Sequence, residues 1–201
     1  MKSYYSYFII FLLFPLLFSC KNNTNEKGTT APMDSVSKIS EEKDLKEQRE
    51  KNLSSSVVSR AMMTPELSKF VSSVISAGLV DSLMLGDKKY TVFAPSNEAF
   101  DTMNSNLKET VYNLANVTAL KELLKNHIVL GNLDSIALVS SIRNNNGVYK
   151  INTMSGDELS ASRDGMDIVF TDANGKKSKL IKSDIKAENG VLHVIDGVIG
   201  E

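Results

Sequence analysis

Tryptophan is absent, cysteine occurs once and histidine twice, and each shortage closes off a class of chemistry. The lone thiol, Cys20, excludes a disulfide within the chain. Two histidines, His127 and His193, leave little from which to build a metal centre, and no His-Glu-x-x-His, Gly-x-Ser-x-Gly or phosphate-loop pattern is present. An excess of one charge is also missing. With 23 Lys+Arg against 24 Asp+Glu the formal net charge is -1, so no global basic field exists to hold nucleic acid. Six Tyr and 8 Phe without Trp count against a broad aromatic platform for single-stranded bases or sugars.

Long apolar runs are confined to the beginning. Phe8 to Phe18 reads FIIFLLFPLLF behind Lys2. Interrupted by Pro15, it is too short to cross a bilayer of about 30 Å but suits the core of a signal peptide. Leu17-Phe18-Ser19-Cys20 resembles a bacterial lipobox, so residues 1–19 are expected to be removed and Cys20 to carry the lipid. Lys21 stands where an inner-membrane aspartate signal would, and by the same resemblance the destination is the outer membrane. Residues 20–60 read as a tether. KNNTNEKGTTAPMDSVSK is polar and broken by Gly28 and Pro32, and Glu42/Lys46 with Glu47/Lys51 predict a solvated helical stalk.

Residues 61–201 carry the patterning of one globular domain. In ELSKFVSSVISAGLVDSLM, residues Leu67, Phe70, Val71, Val74, Ile75 and Leu79 share a helical face that starts at Thr64-Pro65 and stops at Gly78. NVTALKELLKNHIVLG predicts a second helix with Leu120, Leu123, Leu124, His127 and Ile128 as its stripe, and a short helix is expected around Lys108 to Leu114. After residue 145 the period becomes two. Asn146-Gly147, Ser155-Gly156, Asp164-Gly165, Asn174-Gly175 and Asn189-Gly190 separate strand-like runs such as VYKINT, MDIVFT and VLHVID. MDIVFT places Met166, Ile168 and Phe170 on one face and Val169 on the other, whereas VLHVI reads as a central strand covered on both faces. Helices come first and strands last, with one early strand at Tyr90 to Ala94. The fold class expected is α+β: antiparallel sheets in a wedge or sandwich with helices on one side.

Few residues offer themselves for chemistry. His127 and His193 are candidates for a general base or a metal pair, but each sits in an apolar setting and reads as a core histidine. Asp172-Ala173-Asn174-Gly175 resembles a calcium loop with its glycine misplaced, and is read as a hairpin turn. Lys176, Lys177, Lys179, Lys182 and Lys186 form a basic strand. They are expected to guard a sheet edge, the alternative being contact with an acidic polysaccharide.

YTVFAPSNEAF, residues 90–100, changes character at Pro95, which ends a ladder. Ser96 or Asn97 can cap the helix that follows, and Glu98 suits its positive end. This phrase resembles the first signature of the fasciclin domain, and NGVLHVIDGVI, residues 189–199, resembles the second. ELSKFVSSVISAGLVDSL and LKNHIVLG look like further parts of that family, so the likeness covers about residues 60–200. It implies that Thr91, Phe93, Ala94, Pro95, Asn97, Ala99, Phe100, His127, Asn189, Gly190, His193, Val194 and Asp196 build the fold. It also implies a non-catalytic adhesion module without a cofactor, contacting proteins or polysaccharides. Some animal members use a Tyr-His pair near Asn126-His127 and an Asp-Ile pair near Asp184-Ile185 for integrin contact; here Asn126 replaces the tyrosine. His127, Asp184, Ile185, Lys176, Lys177 and Lys179 are therefore the candidate partner contacts, and a hydrolase is the rival class.

Overall fold

The structure, a computed structural model, describes Lys43, Lys46, Glu47, Glu50, Lys51 and residues 53–84 and 88–201. The expected signal peptide, Cys20 and most of the expected tether lie outside the described residues. Lys46, Glu47 and Lys51 of the expected stalk are helical.

The helices are α1 (Val57–Met62), α2 (Ser68–Ser76), α3 (Val80–Met84), α4 (Asn97–Thr102), α5 (Ser105–Tyr112), α6 (Val117–Lys125) and α7 (Ser135–Asn144). The strands are β1 (Tyr90–Pro95), β2 (Ile128–Leu130), β3 (Val148–Asn152), β4 (Glu158–Asp164), β5 (Asp167–Thr171), β6 (Lys177–Ala187) and β7 (Gly190–Ile195). They form a seven-stranded sheet in the order β2-β1-β7-β6-β5-β4-β3. Every pairing is antiparallel except β1 with β7, which run parallel. The ends of the sheet approach each other: the Met154 amide, just past β3, donates to the Ile128 carbonyl of β2 at 2.7 Å. The mixed α+β class read from the sequence is the one observed.

The core has two parts. Val57, Phe70, Leu83, Phe100 and Leu124 pack from the helices onto Val92, Leu192 and Val194 of the sheet. On the other side Leu138 and Ile142 of α7 close over Phe93, Leu159, Phe170 and Ile195. β1 and β7 feed both parts, and all six residues of each are buried. That is why VLHVI is apolar almost throughout, as a strand covered on both faces must be.

Local chemistry sets the element ends. Ser56 and Ser96 cap α1 and α4 by accepting the amides of Ser59 and Ala99 at 3.2 and 3.1 Å. Gly165, with φ of 60°, takes the first central position of the two-residue hairpin between Asp164 and Asp167, the placement of a type II′ turn.

Tertiary pairing overrides local pattern in several places. The second helix ends at Lys125, not beyond Ile128, because Ile128–Leu130 pairs with β1. His127 consequently lies in the turn between helix and strand. Ile75 is 53% exposed although it continues the stripe of α2. Met166, at the hairpin tip just before β5, is 92% exposed, while Val169 within the strand is only 7% exposed, so burial along MDIVFT does not follow simple alternation. The lysine-rich strand β6 is an interior strand between β7 and β5, which corrects its reading as an edge; the edges are β2 and β3. The folded body also starts before residue 61, since Val57 and Val58 are buried in the core and the Val57 amide donates to Asn189 Oδ1 at 2.8 Å.

Candidate functional site

The two signature phrases are neighbouring strands, in register from Tyr90 opposite Gly190 to Pro95 opposite Ile195. At Gly190, φ is 146° and an added Cβ would lie 1.8 Å from the Tyr90 carbonyl oxygen, so only glycine lets the strands meet there. Asn189 precedes it as a hub. Its Oδ1 accepts from Val57, its Nδ2 donates to the Leu83 carbonyl at 2.6 Å and its own carbonyl accepts from Tyr90 at 2.9 Å. Thr91 Oγ1 donates to the Gly131 carbonyl at 2.9 Å and accepts from the Leu133 amide at 2.8 Å, clamping the connection from β2 to α7. Asn97 ties α4 to α2 by accepting the Lys69 amide at 3.0 Å and donating to the Pro65 carbonyl at 3.1 Å. Phe93, Ala94, Ala99, Phe100 and Val194 are buried, and Asp196 Oδ1 accepts the Lys179 amide at 2.6 Å.

The two imidazole rings are not brought together, and their nitrogens share no partner. His127 Nδ1 donates to the Leu123 carbonyl at 3.0 Å, and its Nε2 accepts the Ile199 amide at 2.9 Å. His193 has the opposite tautomer: Nε2 donates to the Leu133 carbonyl at 2.8 Å while Nδ1 accepts the Asp184 amide at 3.3 Å. Burial pushes the pKa of His127 down to about 4, against the pull of the Leu123 carbonyl and Asp172. Burial also lowers that of His193, against the Leu133 carbonyl and the carboxylates of Asp184 and Asp134. Both rings are neutral at pH 7, with each nitrogen bonded to backbone.

One Ser, Asp and His do converge: Ser135, Asp184 and His193. Their connections are those of a latch. Asp184 accepts the Ser135 amide at 2.8 Å and the Ser135 hydroxyl directly, while both His193 nitrogens face backbone, so no base is aimed at the hydroxyl. Asp184 is a non-glycine residue at φ 61°, in the irregular part of β6, and its carboxylate meets the N-terminus of α7. Partial burial works to raise its pKa, but the bonds from Ser135 outweigh that and hold it below the usual carboxylate range. Ile185 is half-buried against the helical side of the core.

Most of the basic strand is balanced. Lys176 pairs with Glu201, Lys179 with Asp167 at 2.8 Å and Lys182 with Glu66 at 2.8 Å. Among the described residues Lys177 and Lys186 are exposed and make no ion pair. Asp172 holds its hairpin through backbone amides: Oδ1 accepts those of Asn174 and Lys176 at 2.9 Å and Oδ2 that of Gly200 at 2.8 Å. Among the described residues no three His, Cys, Asp or Glu form a metal cluster, and no helix is long and apolar enough to cross a membrane. Open clefts lie among the described residues. One, of about 250 Å³, lies at the seam of the sheet beside Asn126, Thr153 and Asp157; another, of about 240 Å³, lies between α2 and the end of α5. Sequence reasoning missed Ser135, Leu133 and the second cleft. The capping pair Asp134-Ser135 ahead of Leu138 and Ile142 was the signal for α7.

The site region is thus an α+β scaffold whose buried polar groups hold its own loops, with open clefts at its surface. The chain belongs to the fasciclin domain family, whose model, "Fasciclin domain", matches residues 65–201. It is 30% identical over 127 residues to the transforming growth factor-beta-induced protein ig-h3 of Sus scrofa, covering 63% of this chain and 17% of that protein. It is 29% identical over 147 residues to Protein sll1483 of Synechocystis, covering 71% and 72% respectively. The chain thus spans less than a fifth of the length of that animal relative and most of the cyanobacterial one. A solved FAS1 domain pair from the insect cell adhesion molecule fasciclin I superposes with a TM-score of 0.63 at 18% identity, covering 73% of this chain and 51% of that one. Fasciclin domains occur in adhesion proteins, and this chain carries the general adhesion or binding module of that family.

Proposed function

We propose that the protein is a non-catalytic adhesion module anchored in the cell envelope by lipid on Cys20 and contacting proteins or polysaccharides of the cell surface or matrix. The commitment of both histidines and Asp184 to backbone and loop contacts carries this reading, because it leaves no base facing a nucleophile. The tether read at residues 20–60 supports display away from the bilayer, and the outer membrane is the destination that the lipobox resemblance favours. Protease treatment of intact cells tests the placement: clipping within the tether supports surface display, and protection until the outer membrane is opened refutes it. Replacing Cys20 with Ala should release the protein into the soluble fraction.

Exposure of Lys177 without an ion pair favours a second reading, contact with an acidic polysaccharide. It requires salt-sensitive retention of the protein on polygalacturonate, weakened by replacing Lys176, Lys177 and Lys179 together. Retention unchanged by that replacement removes the reading.

A further inference from the structure

Three consecutive residues, Ile199, Gly200 and Glu201, are each held through a group that can take up a proton. The Ile199 amide donates to His127 Nε2 at 2.9 Å, and the Gly200 amide to Asp172 Oδ2 at 2.8 Å. The Glu201 carboxylate accepts the Asn104 amide at 2.6 Å and pairs with Lys176. These residues therefore strap together the turn after α6, the β5–β6 hairpin and the start of α5. Ile199 and Gly200 also wall the cleft at the seam of the sheet, where a Cβ on Gly200 would lie 2.6 Å from Asn126 Nδ2.

A proton on any of the three groups loosens the same strap. An imidazolium has no lone pair, so a charged His127 turns an N–H toward the Ile199 N–H. Both oxygens of Asp172 already accept amides, so a proton on either one meets a donor. A neutral Glu201 loses its attraction to the Lys176 ammonium. Asp172 is the charged group in electrostatic reach of both the His127 ring and Lys176, and Asp157 and Glu158 face the cleft from the β3–β4 hairpin. His193 bonds to Leu133 and Asp184 and not to the strap. Against release stand the buried Ile199 side chain and a bond from Asn174 Nδ2 to the Glu201 carbonyl at 3.3 Å. We infer that residues 199–201 are an acid-released strap: protonation of His127, Asp172 and Glu201 frees them and opens the seam cleft while β1 and β7 stay paired. The strap belongs to the fold itself and stands independently of the adhesion reading.

The test follows backbone amide signals of isotope-labelled full-length protein as the pH is lowered from about 7 to about 4.5. The Ile199, Gly200 and Asn104 signals should leave their native positions. Those of Tyr90 and Ser96, whose amides donate to Asn189 and Ile195 across the β1–β7 pairing at 2.9 Å, should keep theirs. Glu201→Gln removes the charge at every pH and should raise the midpoint of release by at least about half a pH unit. A thermal melt at neutral pH checks that this variant folds, and the wild-type titration decides without it. Strap signals that stay native down to about pH 4.5, or that vanish only together with those of Tyr90 and Ser96, overturn the inference. A folded Glu201→Gln variant with the wild-type midpoint overturns it as well.

Discussion

β7 and β6 lie side by side, yet one is wholly interior and the other largely faces water. Every side chain of β7 is buried, and its register with β1 is unbroken over six residues. β6 pairs with β7 through register shifts, puts lysines outward and turns Asp184 into left-handed backbone. A substitution in β7 therefore acts on the whole domain, whereas most of β6 can vary with only its own ion pairs at stake. Adjacent strands of one sheet can thus divide the work, one fixing the fold and the other presenting a surface.

The contrast breaks most severely at Gly190. Gly190→Ala drives a methyl into the Tyr90 carbonyl, and a loss above about 4 kcal/mol, read from urea denaturation or from failure to accumulate folded protein, is expected. Phe170→Ala, which empties the ring packed 4.4 Å from Phe93, should cost roughly 3–5 kcal/mol in the same measurement. Acid probes the neutral histidines. His127 has a folded pKa of about 4 against an ordinary value of 6.5, so the unfolded chain binds the extra proton first. Its contribution is complete above pH 6.5 and is lost as pH falls toward 4, by about 3 kcal/mol, and His193 acts in the same direction. A urea midpoint flat between pH 7 and 4 would contradict this. Asp184→Ala should cost about 1–2 kcal/mol, because the Ser135 amide and hydroxyl at the start of α7 lose their acceptor. Lys177→Ala should fall within about 0.5 kcal/mol of wild type, and a larger loss would mean that β6 carries structure the comparison denies it.

The buried parts of the fold were the most legible in the sequence. VLHVI was readable as a central strand because burial on both faces writes an unbroken apolar run, and Ser96 as a cap because its effect is local. The parallel pairing of β1 with β7 was not readable, since it joins segments far apart whose patterns suit either direction. His127 looked helical because Leu120, Leu123, Leu124 and Ile128 keep a helical spacing, while the strand that claims Ile128 is chosen by β1. The interior position of β6 was hidden for a related reason: lysines at alternate positions look alike whether a strand is bounded by water or by two neighbours. The latch of Ser135, Asp184 and His193 depends on a left-handed aspartate that no local motif announces.

The parallel partnership also bears on how the chain reaches its native state. Tyr90 and Gly190 are separated by roughly 100 residues, so closing that loop is among the most entropically demanding steps of folding. During synthesis β1 emerges long before its companion, with both apolar faces still to be covered. A chain halted before Gly190 would keep that strand unprotected, a natural target for a chaperone or for self-association. Arrival of β7 beside β1 is therefore the event that commits the domain to its fold.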